Sequence, residues 1–197
     1  MLRYPDQSDL FSSDRALPDG LLYRANFLTI ERERGLLAQL STLSFKQARY
    51  KEYTAKRRVV NYGAGYDFET NEVTQAPAIP DFLLTLRNDL AAWIDIEATD
   101  FIQALISQYQ PGTPLDWHRD VPEYELVAGV SLATAARMRF RPYPLRANRR
   151  EGVFALELEP RSAYVLARAA RWQWQHSVPP TPGLRYSITF RTKRQDT

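Results

Sequence analysis

The stretch FIQALISQY, residues 101–109, marks the point where the chain changes from helical to strand periodicity. Further short segments of strand-like composition follow it, separated by turn residues: ELVAGVSL, MRFRPY, VFALELE, SAYVLA, WQWQH and RYSITFR. Such a series predicts a closed or double-sheet core of antiparallel strands. A jelly roll suits this order better than a doubly wound fold, whose strands would alternate with helices.

Two amphipathic helices are predicted ahead of this core. In ERERGLLAQLSTL, which starts at Glu31, leucines recur at helical spacing after a charged first turn. In PDFLLTLRNDLAAWI, an apolar stripe follows Pro80, and proline is tolerated in the first turn of a helix. The predicted fold class is therefore α+β and mainly β, with a jelly-roll core and N-terminal helices packed on one face.

The length of 197 residues predicts a single domain that covers residues 1–197. Residues 1–20 are polar and are expected to form an N-terminal arm. The segment 45–70, between the two predicted helices, is rich in basic and aromatic residues and is expected to be an exposed loop with a hairpin.

Composition excludes several classes of site. The chain has no cysteine, which excludes disulfides, thiolate zinc sites, iron–sulfur clusters and cysteine nucleophiles. The net charge of +3 permits an anionic partner such as nucleic acid without demanding one. The N-terminus lacks the apolar run of a signal peptide, and nowhere do about 18 apolar residues run together. We therefore expect a cytoplasmic protein with no membrane partner.

The chain has only two histidines, and both are candidate metal ligands. On an extended strand, His118 and Asp120 would lie on the same face. His176 continues the alternation of Trp172 and Trp174 on the penultimate predicted strand. Two imidazoles and one carboxylate that leave coordination positions open form the facial triad of non-haem Fe(II) oxygenases. The same donors also accept manganese or cobalt, so the donor set alone does not select iron.

The last predicted strand carries a polar row that we expect to face a cavity. Its members are Arg185, Ser187, Thr189 and Arg191. The Cα atoms of the two arginines would lie roughly 20 Å apart, so the two guanidinium groups should have different tasks. One could bind the far carboxylate of a dicarboxylic acid, and the other could serve the metal end or the substrate. Ser107 and Tyr109 share one face of their strand and could donate hydroxyl hydrogen bonds to the same acid.

Taken together, these residues resemble the AlkB-like 2-oxoglutarate- and Fe(II)-dependent dioxygenases. The family pattern of His-x-Asp, a distal His and Arg-x5-Arg is matched at His118, Asp120, His176, Arg185 and Arg191. The family segment Asn-x-Tyr-x-Pro-Gly is similar to Ser107–Gly112, with Ser107 at the asparagine position. The resemblance implies a double-stranded β-helix as the catalytic core over residues 101–192. It also implies Fe(II) at the triad, and 2-oxoglutarate held by Arg185 and Tyr109, with Arg191 near the metal.

The resemblance further implies a monomeric enzyme that uses O2 to demethylate N-alkylated bases in DNA or RNA, as in the repair of alkylation damage. The segment 45–70 is similar in position to the substrate lid of the family. The candidate substrate-binding residues are Tyr62, Tyr66, Trp117, Arg57 and Arg58, which could stack on a base or contact phosphates.

Two alternatives remain open at this point. The same oxygenase chemistry could act on a protein side chain or a small molecule, or the chain could be a catalytically inactive binding module. A nucleic-acid substrate is favoured if residues 56–68 and the row Arg137, Arg139 and Arg141 form one basic rim around the iron.

Overall fold

The structure is a computed structural model that describes residues 17–50, 53–67, 72–145 and 152–194. The strands in chain order are β1 (Leu21–Arg24), β2 (Lys46–Tyr50), β3 (Tyr53–Asp67), β4 (Glu72–Gln75), β5 (Phe101–Tyr109), β6 (Leu115–His118), β7 (Tyr124–Leu132), β8 (Ala136–Pro142), β9 (Phe154–Leu158), β10 (Ala163–Leu166), β11 (Trp174–Val178) and β12 (Arg185–Lys193). The helices are α1 (Ile30–Ser41), α2 (Asp81–Ile94) and α3 (Arg168–Trp172). Of the expected N-terminal arm, residues 1–16 lie outside the described residues.

Two antiparallel sheets form the core. The larger has the strand order β1-β10-β7-β12-β5-β3-β2, with β4 paired to β3, and the smaller has the order β6-β11-β8-β9. An apolar cluster joins the two sheets, because it contains Val127 and Tyr164 of the larger sheet together with Met138, Phe140 and Val178 of the smaller one. The prediction of a mainly β, antiparallel core is confirmed.

A second apolar cluster combines both long helices with the larger sheet. It contains Leu36 and Leu40 of α1 and Leu86 and Leu90 of α2. It also contains the apolar row of β12, which is Tyr186, Ile188 and Phe190. The polar row of the same strand consequently points to the opposite face of the sheet. Within the described ranges, no helix is long and apolar enough to cross a membrane.

The predicted hairpin in the segment 45–70 is present, since β2 and β3 pair antiparallel, but the segment is not an exposed loop. Its strand β3 is 15 residues long and pairs with β5 from Arg58 opposite Gln108 to Gly63 opposite Gln103. At Gly63, φ is +77° and a Cβ atom would lie 2.2 Å from the carbonyl oxygen of Ile102, so only glycine fits there. The part of this segment that the structure describes therefore extends the larger sheet.

Two further expectations about local structure are corrected. Trp172 ends the short helix α3 and does not alternate with Trp174 and His176, since β11 begins only at Trp174. Strand β6 ends at His118, so Asp120 lies in the loop that follows and not on the same strand.

Candidate active site

A cavity of about 760 Å³ lies against the inner faces of the two sheets. All four members of the polar row of β12 line it: Arg185, Ser187, Thr189 and Arg191. Ser107 and Tyr109 of β5 line the same cavity, as do both histidines and Asp120. The β12–β5 register explains this arrangement, because Arg185 pairs with Tyr109 and Ser187 with Ser107.

One end of the cavity holds the predicted metal ligands. His118 and His176 are directly opposed in the β6–β11 ladder, and their ring centres lie 4.2 Å apart. Nε2 of His176 lies 3.9 Å from Oδ2 of Asp120. The candidate ligand atoms of the three residues all lie within 4.8 Å of one another. Adjacent ligands about 2.1 Å from a shared ion would lie roughly 3 Å apart, so a bound ion would draw these three atoms slightly closer together.

The protonation states at this end suit a cation. Burial lowers the pKa of His176 to about 3, and burial likewise lowers the pKa of His118. Burial alone would raise the pKa of Asp120, but the positive charges around it, Arg191 first among them, together outweigh burial and hold that pKa well below its usual range. Near neutral pH, the cluster therefore consists of two neutral imidazoles and one carboxylate, which are the protonation states that bind a metal.

The orientation of His118 is fixed by its neighbour in sequence. Its Nδ1 lies 2.8 Å from the backbone oxygen of Asp116. Because a carbonyl oxygen only accepts, this contact requires a proton on Nδ1, which leaves the lone pair of Nε2 available to a metal. An Fe(II) ion fits the donor set of two neutral imidazoles and one ionised carboxylate.

Arg191 connects the metal end to the larger sheet. Its Nη2 donates to Oδ1 of Asp120 at 2.9 Å, and its Nη1 donates to Gln103 at 3.1 Å and to Thr189 at 3.0 Å. Gln103 in turn donates to the side chain of Asn61 at 3.0 Å. The network leaves Oδ2 of Asp120 directed toward His176, so one carboxylate oxygen is held by the protein and the other faces the histidines.

The other end of the cavity is built around Arg185, which is 2% exposed. Its Nε donates to the hydroxyl of Ser131 at 3.1 Å, and its Cζ lies 5.1 Å from the ring centre of Tyr109. Nη1 of Arg57 lies 3.5 Å from the Tyr109 hydroxyl. Burial would raise the pKa of Tyr109, but Arg57 and Arg185 outweigh it and lower that pKa. This end therefore carries a positive potential that suits a carboxylate.

The structure separates the candidate substrate residues into two groups. Arg57 and Trp117 line the cavity. Tyr62 instead packs against the helix-side apolar cluster, and Arg58 donates to Gln108 at 2.8 Å on that same face. Alternation along β3 causes this difference, because Arg57, Val59 and Asn61 face the cavity. The expected placement of Tyr62 and Arg58 is thereby corrected, while the side chain of Tyr66 lies outside the described residues.

The arginine row of β8 does not share a rim with β3. Lys56 and Arg57 line the cavity, whereas Arg139 and Arg141 lie over the Trp117 ring, at 5.1 and 4.4 Å from its centre. Nε of Arg139 donates to Ser177, and Arg137 pairs with the exposed Glu157 at 3.4 Å. Arg137, Arg139 and Arg141 thus lie on the outer face of the smaller sheet, opposite the buried Met138 and Phe140, and Trp117 contacts both this row and the cavity.

Two buried residues near the site carry no sequence signal of their role. Arg171 is 2% exposed, and its Nη2 donates to the backbone oxygens of Val121 at 2.6 Å and Tyr124 at 2.8 Å. These bonds hold the segment that follows Asp120. Tyr164 lines the cavity from β10, two strands away from β12. Both roles depend on contacts between distant segments, so no local pattern predicts them.

Comparisons with known proteins agree with this geometry. The family model described as the 2OG-Fe(II) oxygenase superfamily matches residues 20–191. "Uncharacterized protein L905" of Acanthamoeba polyphaga mimivirus is 26% identical over 183 residues, which is 84% of this chain and 81% of that protein. "Alkylated DNA repair protein ALKBH8 homolog" of Arabidopsis thaliana is 26% identical over 191 residues, which covers 86% of this chain. The match spans 53% of that plant protein, about half its length.

Solved structures share the fold at low sequence identity. The structure of OsALKBH1 matches with a TM-score of 0.69 and 16% identity, over 90% of this chain and 99% of that one. A prolyl-4-hydroxylase of Pseudomonas putida matches with a TM-score of 0.59 and 18% identity, over 90% of this chain and 94% of that one. Together with the family model, these findings confirm the predicted resemblance to AlkB-like dioxygenases. The chain belongs to the 2OG-Fe(II) oxygenase superfamily, whose enzymes use Fe(II), 2-oxoglutarate and O2.

Proposed function

We propose that this enzyme removes alkyl groups from the nitrogen atoms of bases in DNA or RNA, as in the repair of alkylation damage. In this proposal, residues 1–197 form one catalytic domain with its jelly-roll core at residues 101–192 and with α1 and α2 packed on one face of it. The enzyme acts as a monomer in the cytoplasm.

The metal end would hold Fe(II) through His118, Asp120 and His176. When bound, Fe(II) and 2-oxoglutarate supply the activation of O2 that oxidises an N-alkyl group, and an N-methyl carbon then leaves as formaldehyde. Arg191 keeps Asp120 ionised and oriented through the 2.9 Å hydrogen bond. The backbone oxygen of Asp116 keeps the proton of His118 on Nδ1.

The opposite end would hold the far carboxylate of 2-oxoglutarate. Arg185 supplies the charge, and its bond to Ser131 fixes the plane of the guanidinium. The hydroxyl of Tyr109 lies beside it, and Ser107 replaces the amide of the family with a smaller hydroxyl. Because Arg185 is almost fully buried, its attraction for a carboxylate is screened little by water.

The size and lining of the cavity carry the proposal of a base as substrate. Pockets of about 300–1,000 Å³ enclose drug-sized molecules, so a cavity of about 760 Å³ has room for a base beside a small diacid. Lys56, Arg57 and Trp117 line it, which combines cationic groups with an aromatic ring. An extruded base needs an aromatic surface for stacking, and its flanking phosphates need cations. Strands β2 and β3, within 45–70, would cover this substrate side.

The arginine row of β8 does not form one rim with β3, but Trp117 lies next to both, so the outer face of the smaller sheet offers a path for the phosphates of the same strand. Arg139 and Arg141 flank the Trp117 ring there, and Arg119 lies 3.8 Å from the ring centre of Tyr143. Interleaved arginines and aromatic rings suit a single strand better than a neutral substrate. The name of the Arabidopsis relative, an alkylated DNA repair protein, supports the same choice.

The test is release of succinate and formaldehyde by the iron-loaded enzyme with 2-oxoglutarate. N-methylated single-stranded and duplex oligonucleotides of DNA and RNA are compared with unmethylated strands of equal sequence. We expect stimulation by at least one methylated strand, with loss of the methyl mass from that strand. Succinate release that is equal for methylated and unmethylated strands would exclude nucleic-acid demethylation and leave only the oxygenase chemistry.

The phosphate path has a matched pair of variants. Arg139→Gln should weaken binding of the methylated strand and reduce the salt dependence of binding by about one charge. Arg137→Gln should change both quantities less, because Arg137 is already paired with Glu157. Fluorescence anisotropy at several salt concentrations measures both variants. Equal effects of the two substitutions would show that the outer face of the smaller sheet does not bind the phosphates.

A further inference from the structure

Two side-chain amides lie in the wall of the cavity near its metal end. Asn61 of β3 and Gln103 of β5 both line the cavity. Asn61 accepts a hydrogen bond from Gln103 at 3.0 Å, and Gln103 accepts one from Arg191 at 3.1 Å. Arg191 in turn donates to the metal ligand Asp120 at 2.9 Å. A short chain of hydrogen bonds thus joins the substrate-covering strand β3 to the metal end.

The network fixes the direction in which each amide points. Arg191 has only donors, so the amide oxygen of Gln103 must face it. The amide nitrogen of Gln103 consequently donates to Oδ1 of Asn61 and, at 2.9 Å, to the backbone oxygen of Ala64. Nδ2 of Asn61 donates to that same backbone oxygen at 2.8 Å. If the Asn61 amide turned over, its oxygen would face the carbonyl of Ala64 and its nitrogen would face the amino group of Gln103.

The amide of Asn61 is used only in part by these bonds. An amide nitrogen carries two hydrogens, and an amide oxygen can accept two hydrogen bonds. Within the part of the chain that the structure describes, the Asn61 side chain donates one bond and accepts one. One N–H and one lone pair therefore remain on a partly buried side chain that lines the cavity.

A donor beside an acceptor is the arrangement that pairs with adenine. On its major-groove edge, adenine offers the N6 amino group beside the N7 acceptor, and an asparagine amide binds both with two hydrogen bonds. On the same edge, guanine offers two acceptors, cytosine an amino group and thymine an oxygen. An alkyl group on a Watson–Crick nitrogen leaves this edge of adenine unchanged.

We propose that Asn61 determines the base specificity of the enzyme by binding N6 and N7 of an extruded adenine that is alkylated on its Watson–Crick edge. This inference rests on the proposed function, in which an alkylated base enters the cavity. The metal end is where the reacting alkyl group must lie, and Asn61 is joined to that end through Gln103 and Arg191. Guanine and thymine are disfavoured, because neither supplies a donor on this edge to the free lone pair of Asn61.

The test measures the binding of single strands to the protein loaded with Mn(II) and 2-oxoglutarate. The strands share one sequence and carry 1-methyladenine, 1-methylguanine or 3-methylthymine at one position. Fluorescence anisotropy should show about tenfold tighter binding of the adenine strand, as expected for one bidentate pair. Asn61→Leu should remove this preference, because leucine is similar in size but has no amide. Gln75→Leu is the matched control, since it removes an exposed amide from β4, where Gln75 pairs with Ala64, and should keep the preference.

A change of one atom in the base tests the same contact in the unaltered protein. In 7-deaza-1-methyladenine a carbon replaces N7, so the free N–H of Asn61 has no acceptor. The unaltered protein should bind this strand about fivefold more weakly than the 1-methyladenine strand, since one hydrogen bond is lost. Asn61→Leu should bind the two strands equally.

The outcomes separate this inference from the proposed function. Equal binding of the three methylated bases by the unaltered protein would overturn the inference, as would equal binding of 1-methyladenine and its 7-deaza analogue. A preference for adenine that persists in Asn61→Leu would also overturn it. If no methylated strand bound more tightly than the unmethylated strand of equal sequence, the proposed function itself would be contradicted.

Discussion

The two ends of the cavity are built in different ways. The carboxylate end stands on β5 and β12, the central strands of the larger sheet, where Arg185 and Tyr109 are backbone partners. The metal end stands on β6 and β11 of the smaller sheet, where His118 and His176 are backbone partners, and on the loop after β6 that carries Asp120. Backbone pairing fixes the side chains at the first end, whereas Asp120 at the second end lies outside any strand.

Side-chain contacts replace the missing backbone pairing at Asp120. Arg191 bonds to Asp120, and Arg171 bonds to the backbone oxygens of Val121 and Tyr124 just beyond it. Both arginines are buried, so these bonds are little weakened by solvent. The position of Asp120 therefore depends on two side chains from distant segments, and its geometry should be the easier of the two ends to disturb.

The largest effect is expected at the metal end from His118→Ala. Removal of one of three ligands should reduce 2-oxoglutarate-coupled succinate release to background, because the remaining two side chains no longer complete the triad. Succinate is measured with saturating iron and cosubstrate. The control is Arg137→Ala on the exposed face of β8, which should retain turnover. Substantial succinate release by His118→Ala would contradict the metal assignment.

The next effect is expected at the carboxylate end from Arg185→Ala. Loss of the buried charge should raise the KM for 2-oxoglutarate roughly 30-fold or more, while kcat at saturation falls less. The KM of Arg185→Lys should lie between those of the original protein and Arg185→Ala, because lysine keeps the charge but lacks the planar guanidinium. Steady-state succinate assays separate the two parameters. A fall in kcat with an unchanged KM would mean that Arg185 does not hold the cosubstrate.

Arg171→Met tests whether side chains support the metal end. It removes the guanidinium that holds the backbone oxygens of Val121 and Tyr124, so the affinity for Mn(II) should fall about tenfold, as for other residues that orient metal ligands. At saturating Mn(II), the affinity for 2-oxoglutarate should stay within about twofold of the original if the two ends are independently built. Calorimetry measures both. Arg168→Met, in the same helix but paired with Asp19 at the surface, is the control. Equal losses of both affinities would show that Arg171 supports the whole cavity.

The smallest effect concerns the pH dependence of stability in the metal-free protein. The pKa of His176 is about 3 in the folded state against an ordinary 6.5, so the unfolded chain binds more protons between these values. Its contribution to stability is present above pH 6.5 and is lost as the pH falls toward 3. Asp120 acts in the same direction below its ordinary pKa of 3.8. The Tm of thermal unfolding should therefore fall as the pH is lowered from 6.5 to 3. His176→Gln should make this dependence of Tm on pH less steep. If Tm depended on pH equally in His176→Gln and in the original protein, the lowered pKa of His176 would be contradicted.

Alternation was sufficient to predict one end of the site but not the other. In RYSITFR, the period of two correctly separates the residues that face the cavity from Tyr186, Ile188 and Phe190 in the apolar cluster. The same rule failed before His176, since Trp172 belongs to a helix of only 5 residues that has no periodic signal. In β3, the sequence did not reveal that the strand joins the larger sheet, so it did not reveal which face Tyr62 occupies.

Contacts between distant segments account for the rest. Asp120 was predicted from its spacing to His118, but the loop that carries it was not. Arg171 donates a hydrogen bond to the backbone oxygen of Val121, which lies 50 residues earlier in the chain. Tyr164 enters the cavity only because its register partner, Gly129, has no side chain. Neither pairing can be derived without the strand order.

The central claim is that one molecule of 2-oxoglutarate spans both ends of the cavity, and its most direct test is a pair of calorimetric titrations. 2-Oxoglutarate is titrated into the metal-free protein and into the Mn(II)-loaded protein. We predict that the metal tightens binding about tenfold or more, with a reciprocal gain in Mn(II) affinity when 2-oxoglutarate is present. Equal affinities with and without the metal would mean that the two ends do not bind one molecule, and would contradict the proposed site.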